Sequence, residues 1–556
     1  MKLPFNPEQL DAVNCRAGAW LWLATAGSGK TAVLTERVMR LLQENQPLNE
    51  ILALTFTAEA ADNMLERLGI KMSKSERYGF KTFHSFGLKV VFAEKDSLPF
   101  RLADNPFESL NGTKVIRELL RSNGRKVGKK EMQEVQGAFS RMKRGAVKLP
   151  VEFCKDTSLR DHREWGFLYP EYVRRMRAGG WLDFDDMLVE AVNLLEKPGI
   201  RARWQYKWVL CDEGQDTDNL QFRMLQLISE KHGNVFVVAD VNQCMYGFRG
   251  AKPENVEKFE AWFPGAQIRI LPENYRSTPE IVKFGQKIAP IKNQLVANMR
   301  TSNPSGVPIV IMPYTSTSEE VNAVLQEVAK DPGQSAVLAR TNQQIGFFET
   351  ECTLRGIKFH LLGRSGFWKT SEIRNVLALA KFLSGTDEPD SYPQRLVHPL
   401  RARIQTMEPG AALDEIILAA KLHELYSNDE YEEEANFAIG NLDTIVQIAY
   451  RFETLSEFME FANRASHASR KSKNAVTLGT IHAAKGLEWD NVFVVGAQEG
   501  KLPHEKAADM QEEERILYVS VSRPRKRLQI SYVGAISRFL EEVEGQNEAS
   551  ENKVVL

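Results

Sequence analysis

The sequence has few of the features that mark membrane, secreted or metal-cluster proteins. Its 556 residues include five cysteines, none in a CxxC pair. Zinc and iron–sulfur sites are therefore not expected, and the cysteines are expected to be free thiols in a reducing compartment. No apolar run is long enough to span a membrane, and the first ten residues have no apolar signal core. These features predict a cytoplasmic protein with no membrane partner.

The charge also has no excess of one sign. Lysine and arginine total 72 against 73 aspartate and glutamate, a formal net charge of −1. Binding to nucleic acid would therefore depend on local basic patches rather than on a global field. The hydrophobic content of 43% and the charged content of 26% are ordinary for a globular protein, and the length predicts three or four domains.

The segment ATAGSGKT at residues 24–31 has the pattern of a phosphate-binding loop. Its two glycines would let consecutive backbone N–H groups surround phosphate oxygens. Lys30 would add a positive charge for the outer phosphates, and the Thr31 hydroxyl would bind Mg²⁺. The apolar run before the loop predicts a strand and the run after it a helix, which is the setting that the motif requires. A chance glycine turn is the alternative for this segment taken alone.

A second motif, CDEGQD at residues 211–216, ends another apolar run. Because the carboxyl ends of parallel strands meet at one edge of a sheet, its carboxylates would face the phosphate loop. Asp212 is placed to bind Mg²⁺, and Glu213 to orient and deprotonate the attacking water. An exposed Asp–Glu pair at a turn is the alternative. Together the two motifs predict a site that hydrolyses a nucleotide.

Three short loops carry aromatic residues; the first two also carry threonine hydroxyls, and the second adds an imidazole. They are TFT at 55–57, TFHSF at 82–86 and MYGFR at 245–249. Hydroxyls bind phosphates and aromatic rings stack on unpaired bases, so these loops are candidates for a single-stranded DNA track. The phenylalanines of the first two loops, taken alone, are more typical of a hydrophobic core.

The motifs along the chain resemble, in kind and in order, those of the UvrD/Rep/PcrA-type helicases of superfamily 1. The resemblance extends over residues 3–545. The resemblance implies an α/β fold with two RecA-like P-loop parallel-sheet motor domains, each interrupted by a mainly helical insertion. It also implies 3′→5′ movement along single-stranded DNA and unwinding at single-strand/double-strand junctions, driven by ATP and Mg²⁺. The matching segments are the Gln motif at Gln9, ATAGSGKT, TFTAEAA, TFHSF, LDFDD, DEGQD, DVNQCMYGFRGA, NYRS, RTNQQ, GRSGFWKTSEIRN, TIHAAKGLEW, EGKLP and EEERILYVSVSRP.

By the same resemblance, the catalytic residues would be Glu213 as the base and Gln243, Arg276 and Arg523 at the γ-phosphate. A surface salt bridge is the alternative for each arginine alone. Thr31 and Asp212 would hold Mg²⁺. The nucleotide-binding residues would be Gln9, Ala24, Thr25, Ala26, Gly27, Ser28, Gly29, Lys30, Thr31, Tyr275, Arg276, Glu488 and Arg523. The DNA track would comprise Phe56, Thr57, Thr82, Phe83, His84, Tyr246, Phe248, Arg249, Arg340 and His482.

The spacing of the motifs predicts the domains. Lys30 and Asp212 lie 182 residues apart (212 − 30), far more than one crossover connection needs, so a whole module must be inserted between them. The predicted parts are a first motor domain at 1–92 and 182–273 with an insertion at 93–181, a second at 274–384 and 475–545 with a reduced insertion at 385–474, and a disordered tail at 546–556.

The two insertions carry charge runs of opposite sign. Basic clusters in the first suit either a contact with duplex DNA or a solvated helix face; they are Arg125–Lys126, Lys129–Lys130, Arg141, Lys143–Arg144 and Arg174–Arg175. The acidic run at 429–434 in the second suits an outer face or a protein partner. Because this second insertion is small for the family, a second hypothesis is a DNA-gated ATPase subunit that acts as a sensor or adaptor for a partner such as a nuclease.

Some positions depart from the family pattern. Ala32 stands where an arginine usually stacks on the adenine, which predicts weaker discrimination between ATP and other nucleoside triphosphates. Gly214 replaces an aromatic residue. Phe248 takes a place often held by tryptophan and keeps a smaller stacking face.

Overall fold

The computed structural model shows two compact units, Met1–Tyr275 with Ile291–Arg300, and Arg276–Pro290 with Thr301–Leu556. No helix in the described part of the chain is long and apolar enough to cross a membrane. The residues that the structure describes are 5–69, 79–106, 110–125, 127, 129–145, 164–245, 247, 251–363, 366–427, 432–467, 474–505, 507, 509–544 and 554–555.

A six-stranded parallel sheet forms the centre of the first unit. Its strands are β1 (Ala19–Ala24), β2 (Ile51–Thr55), β3 (Phe80–Thr82), β4 (Trp208–Cys211), β5 (Val235–Ala239) and β6 (Gln267–Leu271). They lie in the order β3-β2-β4-β5-β1-β6. The continuous apolar sequences of the central strands suit burial on both faces. Because successive residues point to opposite faces, Val237 joins the core on one side of the sheet and Val238 the core on the other.

Helices cover both faces of this sheet and form the first insertion. Within the predicted first insertion, the described helices Leu110–Ser122, Lys129–Gly145 and Tyr169–Ala178 share an apolar core of their own that includes Phe139. The other helices of the unit are Pro7–Val13, Lys30–Gln43, Ala58–Arg67, Phe83–Ala93, Phe184–Leu195, Pro198–Arg201, Asn219–Ser229, Glu254–Glu257, Phe259–Trp262 and Gln294–Ala297.

The second unit also contains a six-stranded parallel sheet, so the predicted α/β class with two parallel-sheet motor domains is confirmed. Its strands are β7 (Val310–Tyr314), β8 (Ser335–Ala339), β9 (Phe359–Leu361), β10 (Val476–Thr480), β11 (Trp489–Val494) and β12 (Pro524–Val533), in the order β7-β12-β11-β8-β10-β9. A two-residue strand, β13 (Val554–Val555), pairs antiparallel with β7. It is the only part of the predicted tail among the described residues.

The helices of the second unit include a group that packs around one apolar core, in which the rings of Trp368 and Phe461 meet edge to face at 5.5 Å. In the acidic run, residues 429–431 lie outside the described residues, and residues 432–434 begin a helix. The helices are Pro279–Ile288, Thr317–Val328, Asn342–Leu354, Ser371–Ser384, Tyr392–Val397, Pro409–Ala419, Leu422–Ser427, Glu432–Ala449, Leu455–His467, Met510–Val521 and Arg538–Glu544.

Candidate nucleotide and DNA sites

The loop after β1 turns through two glycines in the left-handed region. Gly27 and Gly29 have φ angles of 73° and 79°, which residues with side chains rarely adopt. Gly29 is also the N-cap of the helix Lys30–Gln43, and no side chain among the described residues caps that helix. The first backbone N–H groups of the helix are therefore suited to bind an anion.

The strand order places two further segments beside this loop. In the parallel pair β1 and β5, Leu23 lies opposite Ala239, so the loop starts level with Asp240. On the other side of β5, β4 ends at Cys211, which lies opposite Val237. The carboxyl ends of β1, β5 and β4 therefore form one edge, as the sequence predicted for the phosphate loop and the DEGQD motif.

Hydrogen bonds from Asn274 and Tyr275 hold the backbone of the glycine loop. Asn274 Nδ2 donates to the carbonyl of Ala26 at 2.9 Å. The backbone N–H of Tyr275 donates to the carbonyl of Gly27 at 2.9 Å. These bonds engage carbonyl oxygens that would otherwise repel phosphate oxygens. Asn274 was not among the predicted site residues, although it directly precedes the predicted Tyr275.

Gln9, predicted to contact adenine, joins the first helix to the phosphate loop. Its Nε2 donates to the carbonyl of Ser28 at 2.9 Å, and its Oε1 accepts from the backbone N–H of Asn6 at 3.1 Å. A Cβ added at Gly29 would lie 3.1 Å from Gln9 Nε2. Glycine at this position therefore serves both the left-handed turn and the close approach of the Gln9 amide.

Thr31 and Asp212 meet although they are 181 residues apart. Thr31 Oγ1 donates to Asp212 Oδ2 at 3.0 Å. Burial, and then the neighbouring Glu213 carboxylate, raise the pKa of Asp212 to about 7. A divalent cation beside Asp212 would favour its ionised form. The two oxygens are also ligands of the type that Mg²⁺ prefers, so the pair fits this ion.

Glu213 lies in a hydrogen-bonded series that the sequence did not reveal. Its φ of 52° is left-handed, a strained conformation for a residue with a side chain. Gln215 Nε2 donates to Glu213 Oε2 at 2.5 Å, and the backbone N–H of Asp240 donates to Gln215 Oε1 at 2.9 Å. Gln243 Nε2 then donates to Asp240 Oδ2 at 2.7 Å. The predicted base is thus connected to Gln243; the only sequence signal for Gln215 was its place in DEGQD.

Gly214 has no room for the aromatic residue that the family pattern suggests. A Cβ at this position would lie 2.5 Å from Val237 Cγ1 and 3.5 Å from the Cβ of Ala239. The turn after β4 therefore packs directly on β5 in this protein. A larger residue would require the turn that carries Glu213 to shift.

In the second unit, Arg276 and Glu488 form an ion pair. Arg276 Nε donates to Glu488 Oε2, and Arg276 Nη1 donates to the carbonyl of Ser522 at 2.8 Å. Arg525 Nη2 donates to Glu488 Oε1 at 2.7 Å. Burial opposes ionisation of Glu488, but Arg276 and Arg525 outweigh it and lower the pKa. The predicted ribose contact is therefore held between two arginines.

Arg523 is 1% exposed, and neutral acceptors in its own unit orient its guanidinium group. Its Nε donates to the carbonyl of Val519 at 2.9 Å, and its Nη2 to Ser522 Oγ at 2.6 Å. Its Nη1 donates to the carbonyl of Leu487 at 3.3 Å. These three bonds fix the orientation of the Arg523 side chain.

Two of the predicted DNA-binding hydroxyls cap helices. Thr57 Oγ1 accepts from the backbone N–H of Ala60 at 3.2 Å, and Thr82 Oγ1 accepts from that of Ser85 at 3.1 Å. Phe83, by contrast, is 2% exposed and packs in the core of the first unit. Its ring has no free face for a base, so we omit Phe83 from the DNA-binding set.

His84 faces an exposed ring that was not among the predicted site residues. Phe184, from the LDFDD motif, is 71% exposed, and its ring centroid lies 5.8 Å from that of His84. Burial lowers the pKa of His84, which keeps its ring neutral at pH 7. Beside Phe184 lies a groove of about 370 Å³ whose lining includes Phe139 and Met187. Exposed aromatic rings of this kind are suited to base stacking.

Arg340 forms a close ion pair within the second unit. Its Nη2 lies 2.7 Å from Glu513 Oε1, and Glu513 Oε2 also accepts from the backbone N–H of His504 at 3.0 Å. The charge of Arg340 is thus already balanced. Of the remaining predicted DNA contacts, Phe56 and His482 are half-buried, whereas Tyr246, Phe248 and Arg249 lie outside the described residues.

A parallel sheet whose strand ends bring together a glycine loop, a lysine and a Thr–Asp pair defines a P-loop nucleotide-binding protein. Comparison with protein families identifies the family. The UvrD/REP helicase N-terminal domain matches residues 5–264, and the UvrD-like helicase C-terminal domain matches residues 270–439 and 414–535. The chain belongs to the UvrD/REP helicase family, and the resemblance seen in the sequence is confirmed.

Two relatives align along most of this chain, and both are named ATP-dependent DNA helicase PcrA. The protein of Staphylococcus aureus strain Mu50 is 28% identical, over 96% of this chain and 84% of its own length. The protein of Bacillus subtilis strain 168 is 27% identical, over 95% of this chain and 82% of its own length.

Proposed function

We propose that this protein is an ATP-dependent DNA helicase that moves 3′→5′ along single-stranded DNA and unwinds duplexes at junctions. The observation that carries the proposal is the 3.0 Å contact between Thr31 Oγ1 and Asp212 Oδ2 beside the glycine loop. Family membership and the two PcrA relatives support it. The polarity rests on the family resemblance alone.

ATP would bind with its phosphates at the loop 24–31, where Lys30 and the helix N-terminus offset their charge. Glu213 would orient the attacking water and accept its proton, with Gln215 fixing the carboxylate. Thr31 and Asp212 would hold Mg²⁺, which when bound reduces the negative charge on the transferring phosphoryl group.

Arg276 and Arg523 are the proposed contacts to the γ-phosphate. Phosphate would replace Glu488 as the anionic partner of Arg276, and a planar guanidinium suits either partner. Arg523 is oriented by the Val519 carbonyl and the Ser522 hydroxyl. The proposed adenine contacts are Gln9 and Tyr275, and Glu488 is the proposed ribose contact.

The proposed DNA track differs from the sequence prediction in two rings. Phe83 is omitted because it is buried in the core, and Phe184 is added because it is exposed beside His84. The proposed track consists of Phe56, Thr57, Thr82, His84, Phe184, Tyr246, Phe248, Arg249, Arg340 and His482.

The first test is steady-state ATP hydrolysis with and without single-stranded DNA, with Glu213→Gln as the blank. We expect strong stimulation by DNA in the wild-type protein and none in the variant. Strand displacement is then measured on duplexes with a 3′ or a 5′ single-stranded tail. We expect displacement from the 3′-tailed substrate alone.

Two outcomes would contradict the proposal in different ways. Displacement from the 5′-tailed duplex alone would reverse the polarity but leave the helicase activity intact. DNA-stimulated hydrolysis with no displacement from either substrate would favour the alternative of a DNA-gated subunit that acts on a partner.

A further inference from the structure

The first insertion contacts the first motor domain through two adjacent basic residues at the end of the helix Lys129–Gly145. Lys143 Nζ lies 2.7 Å from Asp183 Oδ2 and 2.7 Å from Asp186 Oδ1. Its side chain is 5% exposed. The sequence placed Lys143 in a basic cluster equally suited to duplex DNA or to solvent. In the structure Lys143 faces neither solvent nor a surface open to DNA, because it is buried and paired with two carboxylates of the protein.

The two aspartates that bind Lys143 also form the start of a helix. Asp183 is the N-cap of the helix Phe184–Leu195, and Asp186 is its third residue. Asp183 Oδ1 accepts from the backbone N–H of Asp186 at 3.1 Å, and Asp186 Oδ2 accepts from that of Asp183 at 3.0 Å. This reciprocal capping fixes the first helical turn. Phe184 is the first residue of that turn. Lys143 therefore binds the two aspartates that fix the backbone of Phe184.

Other residues of the insertion donate hydrogen bonds to aspartates near Phe184. Arg144 Nε donates to Asp185 Oδ1 at 2.7 Å, and Arg144 Nη1 donates to Asp218 Oδ2 at 2.6 Å. Tyr172, from another helix of the insertion, donates its hydroxyl proton to Asp183 Oδ2 at 2.7 Å. The residues on both sides of Phe184 are therefore bound by the insertion, whereas its own ring is exposed.

We propose that Lys143 and Arg144 are positioning residues for DNA binding: they hold Phe184 against His84 as a rigid platform for a nucleobase and bind no DNA themselves. The inference rests on the DNA contact proposed above for Phe184. A ring held in place loses less conformational entropy on binding than a mobile one, so removing its support weakens binding.

The test measures the affinity of single-stranded DNA by fluorescence anisotropy at several salt concentrations, with four variants. They are Lys143→Met, Phe184→Ala, the double variant that combines them, and the control Arg174→Ala. Arg174 lies on the same insertion but is exposed and paired with Glu171. Folding is checked by circular dichroism and gel filtration.

We expect Phe184→Ala and Lys143→Met each to weaken binding roughly tenfold, within the range for loss of one stacked base. The double variant should bind no more weakly than Phe184→Ala alone, because the lysine acts through that ring. The slope of log affinity against log salt should be unchanged by Lys143→Met. Arg174→Ala should change affinity less than twofold.

Four results would overturn the inference. Additive losses in the double variant, or a salt slope reduced by about 0.7, would mean that Lys143 contacts a phosphate directly. A Lys143→Met affinity equal to that of Arg174→Ala would mean that the ion pairs do not affect the platform. An unchanged affinity for Phe184→Ala would show instead that the DNA contact in the proposed function is wrong.

A second variant covers the case in which Lys143→Met does not fold, because removal of one member of a buried ion pair is strongly destabilising. Arg144→Gln is milder, since Arg144 is 26% exposed. The same criteria apply to it: a loss of affinity that is not additive with Phe184→Ala supports the inference, and an additive or absent loss overturns it.

Discussion

The two parallel sheets carry their candidate nucleotide residues at opposite strand ends. In the first unit, the glycine loop, Asp212 and Gln243 follow the carboxyl ends of β1, β4 and β5. In the second, Glu488 and Arg523 directly precede the amino ends of β11 and β12. The first sheet thus presents N–H groups, a lysine and carboxylates, and the second presents guanidinium groups and one carboxylate.

This difference shows that a shared sheet architecture does not define a shared site. The proposed nucleotide role of the first sheet is supported by its own geometry, since the glycine loop and the Thr31–Asp212 pair lie at the same edge. A nucleotide role for the second sheet rests on the family resemblance, and its arginines are already bonded to acceptors in their own unit. Four variants test this contrast, and they are given in decreasing order of expected effect.

Glu213→Gln tests whether the first sheet carries the catalytic base. We expect the turnover number for ATP to fall by roughly 10³–10⁴, since the amide cannot accept the proton from water. Binding of a fluorescent ATP analogue should remain within threefold of wild type. Near-normal turnover would mean that another group acts as the base.

Arg276→Lys tests whether the second sheet supplies charge to the reaction. A lysine cannot reproduce the planar fork that reaches both Glu488 and the Ser522 carbonyl, nor bind phosphate through two parallel bonds. We expect turnover to fall by about 10³, as for loss of an arginine finger. The matched control is Arg525→Lys, which changes the other partner of Glu488 and should reduce turnover less than fivefold. Equal losses would indicate that the pairing of Glu488, and not contact with phosphate, is what matters.

Glu349 in the second unit is a buried carboxylate with a raised pKa, as Asp212 is in the first unit. Glu349→Gln tests how this burial affects stability. Burial raises the pKa of Glu349 to about 8, although its Oε2 accepts from the backbone N–H of Phe367 at 2.9 Å. The folded state therefore retains this proton above pH 4.5, where the unfolded state loses it, so stability falls as pH rises from about 4.5 to 8. We expect the free energy of unfolding of the variant to exceed that of wild type by on the order of 2–4 kcal/mol at pH 9, and to differ little from it at pH 5. Thermal unfolding at the two pH values measures this.

Glu351→Gln, on the same helix, is the matched control for Glu349. Burial raises the pKa of Glu351, but hydrogen bonds from Arg355 and Arg451 outweigh this and lower it. Its stabilising contribution is present above pH 4.5 and is lost as pH falls through the lowered pKa. This variant should therefore be less stable than wild type at pH 9. A gain in both variants would mean that a general charge effect, and not burial of Glu349, is responsible.

Gln9→Ala has the smallest expected effect and concerns the first sheet alone. Loss of the Nε2 bond to the Ser28 carbonyl should loosen the phosphate loop and raise KM for ATP about tenfold, the upper range for one hydrogen bond. The turnover number should change less than twofold. In the control Asn14→Ala, the lost amide donates to the Leu10 carbonyl in the preceding helix, and KM should stay unchanged. A fall in turnover with constant KM would place Gln9 in the chemical step.

Some of this site could be predicted because its signals are local or follow from parallel-sheet geometry. The strand, loop and helix around Lys30 and Thr31 are encoded within about 25 residues. Asp212 could be placed beside them because it ends another apolar strand, and such ends meet at one edge. The Thr31–Asp212 contact at 3.0 Å agrees with that prediction.

Other contacts could not be predicted because they join side chains through packing of distant segments. Phe83 and His84 are neighbours, but only the orientation of their helix decided that Phe83 enters the core and His84 faces Phe184. Arg340 meets Glu513 across 173 residues. A basic or aromatic residue type does not reveal which of its suitable partners the fold supplies.

Hydrophobic periodicity and glycine conformation act over short distances, so the α/β class, the order of the motifs and the chemistry of the phosphate loop are encoded locally in the sequence. The pairing of Lys143 and Arg144 with aspartates, and the link from Glu213 through Gln215 to Asp240, depend instead on how distant segments pack. A buried charge or amide requires a partner, and only the packed chain determines which partner lies within reach.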